Sequence, residues 1–179
     1  LVGSEMCIRD SYISMLQKSI RGSDTDASIL ALSVLLKTGH FDDIIRRLLV
    51  IASEDCGLAM GNMYSSFFSL INAAKMVGMP EAKIILAHAV ILLSTSPKSN
   101  SAYVAISKAF NDIEKKDIGP VLNHLRDCHY EGSKKLGITG YKYPHDYPNH
   151  YVKQDYMPDN LKGTTYYTPC DNKYENSLK

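Results

Sequence analysis

Apolar residues recur at three- and four-residue intervals through most of the first 115 positions, and glycine, proline and polar breaks divide the pattern into short segments. The spacing predicts a helix over Tyr12–Ile20, with Gly22 suited to the left-handed conformation that closes a helix. A second helix is predicted from Asp24 to Lys37, capped by Ser23 or Asp24 and stopped at Gly39, with Ile29, Leu32 and Val34–Leu36 as its core stripe. Phe41–Ser53 is the sharpest amphipathic segment. Ile44, Ile45, Leu48, Leu49 and Ala52 share one face, and Asp42/Arg46 and Asp43/Arg47 form i,i+4 pairs off it. Glu54 and Asp55 follow at the carboxyl end, where acids oppose the helix dipole and need partners or a role.

A fourth helix is predicted over Tyr64–Met76 with Asn62 as cap, and a fifth over Glu81–Leu93 with Pro80 in its first turn. Ser96 as cap and Pro97 at the first helical position open a sixth, which reaches Lys115 and spaces Tyr103, Ile106, Phe110 and Ile113 for burial. Gly119-Pro120 ends this regime. A short helix over Val121–Leu136 then gives way to a segment with no sustained period. Eight of the twelve tyrosines fall in 141–174, among Pro144, Pro148, Pro158 and Pro169. Such a Tyr/Pro-rich segment suits an irregular strap along helices. The expectation is all-α: a helical domain over 12–118, preceded by an uninformative leader at 1–11, with the short helix and strap of 119–179 packing on the same domain.

Composition narrows the function classes. Lys and Arg total 20 against 19 Asp and Glu, which excludes the strong basic field of a general nucleic-acid binder but not a local patch. Cys7, Cys56, Cys128 and Cys170 are far apart with no CxxC pair, favouring reduced cytosolic thiols. The apolar run at 84–93 is too short to span a membrane. No P-loop, G-x-G-x-x-G, H-E-x-x-H or G-x-S-x-G string occurs.

Four local groups carry competing readings. His124 and Cys128, with His129 beside them, have helical spacing for two soft metal ligands, or simply pack; no third or fourth ligand is visible. Arg46 and Arg47 with Glu54 and Asp55 form a solvated, salt-bridged face or an inter-domain or inter-subunit contact; catalytic carboxylates would need a base or metal that nothing local supplies. Ser96–Asn100 is a helix start, or a phosphate site through Lys98 and free backbone N–H groups. Lys134, Lys135, Lys142, Lys153 and Lys162 interleave with tyrosines, either as a stacking platform for single-stranded nucleic acid or around rings buried on the core.

Six strings taken in order, KSIRGSD (18–24), RRLLVIASEDCGLA (46–59), GMPEAKIILAHAVILL (78–93), SPKSNSAYVAISKA (96–109), HLRD (124–127) and GYKYPHDYP (140–148), resemble the carboxyl-terminal region of the RarA/MgsA/WRNIP1 family of AAA+ ATPases. Met60-Gly61 stand where the family commonly has Asp-Pro. The resemblance implies a helical bundle related to the clamp-loader oligomerisation domain. It places the ATPase core upstream, with ATP and Mg expected only there and no cofactor in this chain. It implies self-association, as a homotetramer, and action of the full-length protein on DNA beside single-stranded-DNA-binding protein, in the cytoplasm at the nucleoid or replication fork, with no membrane partner. The candidate inter-domain or interface contacts are Arg21, Glu54, Asp55, Arg126, Tyr141, Tyr143 and His145; the helices around 41–55 and 62–76 are the candidate interface elements. The candidate DNA or phosphate contacts are Arg46, Arg47, Lys98, Lys134, Lys135 and Lys142. The leading expectation is a non-catalytic oligomerisation domain of a DNA-dependent ATPase of fork maintenance, recombination and repair. A direct DNA-binding module is the alternative, and a small helical enzyme using His88, His124 or His145 is a third.

Overall fold

Helices α1 (Val2–Arg21), α2 (Thr25–Lys37), α3 (Phe41–Ile51), α4 (Met63–Val77), α5 (Ala82–Thr95) and α6 (Ser101–Lys115) succeed one another on short connections, and a one-turn α7 (Lys173–Asn176) closes the chain. The computed structural model describes residues 2–126 and 140–178, with side chains from residue 8 onward. All regular structure among these residues is helical, as the period predicts. Leu1–Ile106 with Tyr167–Lys179 forms one compact unit, and Ser107–Tyr166 a second.

The first unit is a bundle around one apolar core. Leu16 and Ile20 from α1, Leu32 and Leu35 from α2, and Ile44, Leu48 and Ile51 from α3 meet Phe67 and Ile71 from α4 and Leu86 and Leu93 from α5 there. Each such side chain contributes about 1.5–3 kcal/mol on burial. Of these, Leu32, Leu35, Ile44 and Leu48 are positions that the spacing assigns to the core, whereas Ile29 and Leu49, assigned with them, are only partly buried.

Several boundaries differ from expectation. α1 starts at Val2, so most of the expected leader is helical; lengthening a formed helix costs far less than nucleating one. At its end the left-handed residue is Ser23 (φ 60°), not Gly22. Asp24 caps α2, its carboxylate accepting the Ala27 N–H at 2.9 Å, whereas Asn62 makes no side-chain cap at α4. α5 runs on to Thr95. Ser96, expected to open α6, instead ends α5: its hydroxyl donates to Leu92 O at 2.6 Å, and the chain is non-helical until Ser101.

The apolar stripe of α6 is a larger correction. Tyr103, Ile106, Phe110 and Ile113 are each more than half exposed, so their spacing marks a face that no other described element covers. Of the expected helix over 121–136, the described part contains only a 3-10 turn at Asn123–Leu125, and the remainder lies outside the described residues.

In the second unit, Asp112 on α6 takes Lys116 Nζ at 2.8 Å and Tyr166 OH at 3.1 Å, and Asn160 Nδ2 donates to Asp117 O at 3.0 Å. Between these ties the Tyr/Pro-rich chain makes isolated 3-10 turns. Tyr141, Tyr143, Tyr147, Tyr151 and Tyr156 are exposed, which overturns the reading that buries these rings.

Candidate functional site

The end of α3 creates an acidic hub. After Ile51 the helix widens into a π turn, Ala52–Cys56, closed by the Gly57 N–H on Ala52 O. A π turn adds one residue to the helical circuit and re-aims the side chains beyond it. Asp55 is thereby almost fully buried. Arg21, the last residue of α1, donates Nε to Asp55 Oδ1 at 2.5 Å and Nη2 to Glu54 Oε1 at 3.3 Å. Gln17, one turn earlier, donates Nε2 to Asp55 Oδ2 at 3.2 Å and accepts Arg47 Nη1 on its Oε1 at 3.0 Å. The partners that two acids at a helix carboxyl end require are therefore supplied by α1. The hydrogen bond with Asp55 holds the Arg21 guanidinium above its ordinary value. Arg47 goes to Gln17 and Asp43 to His40 Nδ1 (3.4 Å), in place of the expected i,i+4 pairing.

Residues 96–101 form the facing wall. The Ser99 N–H donates to Asp55 O at 2.9 Å, and Gly57 (φ +47°) passes so close that a Cβ there would lie 2.8 Å from Ser99 O. Only glycine meets both demands. Lys98 Nζ lies 3.0, 3.1 and 2.6 Å from Leu93 O, Ser94 O and Ser96 O, and 3.0 Å from Ser23 Oγ. The ammonium thus caps the carboxyl end of α5, where a cation suits the dipole, instead of standing in the first turn of α6. Burial lowers its pKa, opposed by Cys56 and Asp55. Burial likewise pushes the Cys56 thiol up to about 11. Arg21, Glu54, Asp55, Lys98, Ser99, Asn100, Tyr103 and Cys170 line a cleft of about 440 Å³ between these walls.

The carboxyl-terminal segment locks the second wall. Glu175 is fully buried, and its carboxylate accepts Ser99 Oγ and Ser101 Oγ at 2.6 Å each, Asn172 Nδ2 at 2.5 Å and Tyr167 OH at 3.1 Å. Burial alone would raise this carboxyl, but the donors from Ser101, Ser99, Asn172 and Tyr167 together outweigh it and hold the group at about 2. Asn172 Oδ1 accepts the Glu175 N–H at 3.0 Å, capping α7.

The remaining predicted residues fall in separate places. Arg46 and Arg47 share a second cleft of the first unit with Arg9, Asp10 and Asp43. Arg126, Tyr141, Lys142, Tyr143 and His145 belong to the second unit and are exposed. There the Gln154 side chain pins the Lys142 backbone, accepting its N–H at 3.2 Å and donating to its carbonyl at 2.8 Å. Lys134, Lys135, Cys128 and His129 lie outside the described residues. His88 sits on α5 of the first unit, while His124 in the second bonds Asp155 O at 2.8 Å. Among the described residues no group of three or more His, Cys, Asp and Glu is placed to hold a metal, and no helix is long and apolar enough to cross a membrane.

Sequence reasoning missed Gln17, Ser101 and Glu175, and placed Ser99 in the Ser96–Asn100 group without giving its hydroxyl this partner. Asn172-x-x-Glu175 has capping-box spacing and was a usable signal for α7. Nothing local marks the serines, whose partner lies more than seventy positions away. Chemically the cleft is a polar joint in which guanidinium, carboxylates, ammonium and hydroxyls satisfy one another, with Tyr103 and half of the Arg21 side chain facing outward.

The family described as MgsA AAA+ ATPase C terminal matches residues 22–179. The chain is 50% identical over 169 residues to replication-associated recombination protein A of Bacillus subtilis (strain 168), covering 93% of this chain and 40% of that protein. It is 32% identical to the protein of the same name from Escherichia coli (strain K12), over 93% of this chain and 38% of that one. With the ATPase WRNIP1 of Dictyostelium discoideum it shares 32% identity over 87% of this chain and 18% of that protein. The chain thus spans two fifths or less of the length of these relatives.

Proposed function

Since the chain belongs to the MgsA AAA+ ATPase carboxyl-terminal family, we infer that its own work is assembly: it joins copies of a replication-associated recombination ATPase and carries no reaction itself. The upstream core binds ATP and Mg and hydrolyses the nucleotide. This domain, akin to clamp-loader oligomerisation domains, holds four such cores together on DNA beside single-stranded-DNA-binding protein. The observation that carries the reading is apolar surface left uncovered in the first unit. On α4, Tyr64, Phe68 and Met76 are 36%, 47% and 87% exposed, and on α6 Tyr103 and Ile106 are exposed too. Tyr, Phe and Met are the residue types that interface cores enrich.

Light scattering on this 179-residue chain tests it. The expected mass is four times that of one chain, and Phe68→Glu or Ile106→Glu is expected to lower it while helicity by circular dichroism is kept. A strict monomer across micromolar concentrations would overturn the reading.

A second reading, direct contact with DNA, is favoured by the guanidinium groups of Arg9, Arg46 and Arg47 around one cleft of about 450 Å³. It expects weak binding that falls steeply with salt and is lost in Arg46→Ala/Arg47→Ala. Unchanged fluorescence anisotropy of labelled DNA at low salt would remove it for this chain.

A further inference from the structure

Two histidines of the second unit are held against each other by left-handed backbone. His145 lies in the 3-10 turn Pro144–Asp146 and His150 ends the turn Pro148–His150, each opened by a proline whose ring sets φ. Asn149 (φ 56°) and His150 (φ 53°) are both left-handed, a region uncommon for residues with a side chain and entered by Asn and His more readily than by most. This reversal brings the His150 ring to that of His145. Their Nδ1 atoms are 3.3 Å apart, with ring centroids 5.0 Å apart and planes inclined at 54°. The Tyr143 ring packs against His145 at 5.1 Å.

The distance is long for a hydrogen bond, in which an N–H donor prefers about 2.9–3.0 Å to its acceptor. It fits another geometry closely. Two imidazole nitrogens on one zinc ion, about 2.0–2.1 Å from the metal at a tetrahedral angle, lie about 3.3–3.4 Å apart, with ring centroids about 5.2 Å apart. We propose that His145 and His150 form a two-histidine chelate for a zinc ion, bound through both Nδ1 atoms. Binding through both Nδ1 atoms requires the tautomer in which each ring carries its proton on Nε2, so that both Nδ1 lone pairs face the metal. The described residues supply two ligands, and water fills the other two positions. Imidazole is a preferred ligand for zinc, and the prolines and the left-handed turn lower the cost of bringing the two rings together.

The test uses the 179-residue chain and zinc chloride in a non-chelating buffer. Ring-nitrogen NMR of the wild type is expected to show equimolar zinc shifting Nδ1 of His145 and His150 while the His124 ring stays unchanged. By calorimetry, His145→Ala and His150→Ala are each expected to weaken this site at least tenfold with the circular dichroism spectrum intact, as both residues are exposed. Zinc that moves neither Nδ1, or variants that bind with wild-type affinity and stoichiometry, would overturn the proposal. The NMR readout stands even if a variant misfolds, and neither readout depends on assembly or on DNA.

Discussion

Glu175 accepts the hydroxyl of Ser101 on its Oε1 at 2.6 Å, joining α7 to the first residue of α6 across 74 positions of chain. With Ser99 on Oε2, the two bonds make one buried carboxylate the anchor of the whole carboxyl-terminal segment. That segment supplies Cys170 to the cleft and sets the Tyr174 ring against Gly61, where a Cβ would lie 3.1 Å from the ring.

Removing the carboxylate strands its donors. Glu175→Ala takes this acceptor from the buried hydroxyls of Ser99 and Ser101, from the Asn172 amide and from the partly exposed Tyr167 hydroxyl. The expected loss is about 2–3 kcal/mol, read from urea unfolding, with faster proteolysis of residues 167–178. A change below about 0.5 kcal/mol would mean that the segment is held by something else.

The same group sets a pH dependence of known sign. Its carboxyl ionises at about 2 in the folded chain against an ordinary value of 4.5. The unfolded state therefore binds more protons between these values, and stability is lost as pH falls from 4.5 toward 2. The urea midpoint of the wild type is expected to drop more steeply through this window than that of Glu175→Gln. Parallel curves would contradict the assignment.

Arg21 and Asp55 are expected to be energetically coupled. Arg21→Ala leaves an almost fully buried carboxylate with Gln17 as its one side-chain hydrogen-bond partner among the described residues, at a cost of about 1–3 kcal/mol. Arg21→Lys is expected to recover little, because an ammonium cannot reproduce the fork that reaches both Asp55 and Glu54. In a double-mutant cycle with Asp55→Asn, additivity within about 0.3–0.5 kcal/mol would refute the coupling.

Cys56 is expected to resist alkylation at pH 8 in the folded protein. Its thiol, pushed up to about 11 by burial, donates toward Leu93 O at 3.6 Å and carries almost no thiolate at that pH. Mass spectrometry after iodoacetamide should find Cys56 modified only under denaturing conditions, and Cys170, which is partly exposed, modified before it. Equal rates at the two thiols would show that the α3–α5 packing opens readily.

Much of the bundle is legible in the chain itself. Spacing alone assigns Leu32, Ile44, Ile45 and Leu48 to the core, and all four are buried. Gly39 and Gly78 end α2 and α4 with positive φ, as their places in the pattern imply. Spacing fails at Tyr103, Ile106, Phe110 and Ile113, because a periodic stripe reports that a face is apolar and says nothing about what covers it. It fails again at Asp55, where one extra residue in a π turn leaves no mark on the apolar period. Ser96-Pro97 misleads for a related reason: the residues suit a helix start, yet a hydroxyl that can cap an amino end can equally bond a carbonyl at a carboxyl end.

The order and faces of short helices are written in local chemistry, since period, capping and backbone freedom act within a few residues of one another. By the same local means the sequence declared its family, through strings that remain in register along the chain. Which charges answer each other was decided only in three dimensions. Arg21 meets Asp55, and Glu175 meets Ser99 and Ser101, because packing the apolar faces brings distant backbone together, and the strength of an ion pair or hydrogen bond depends on that final distance and dryness rather than on position along the chain.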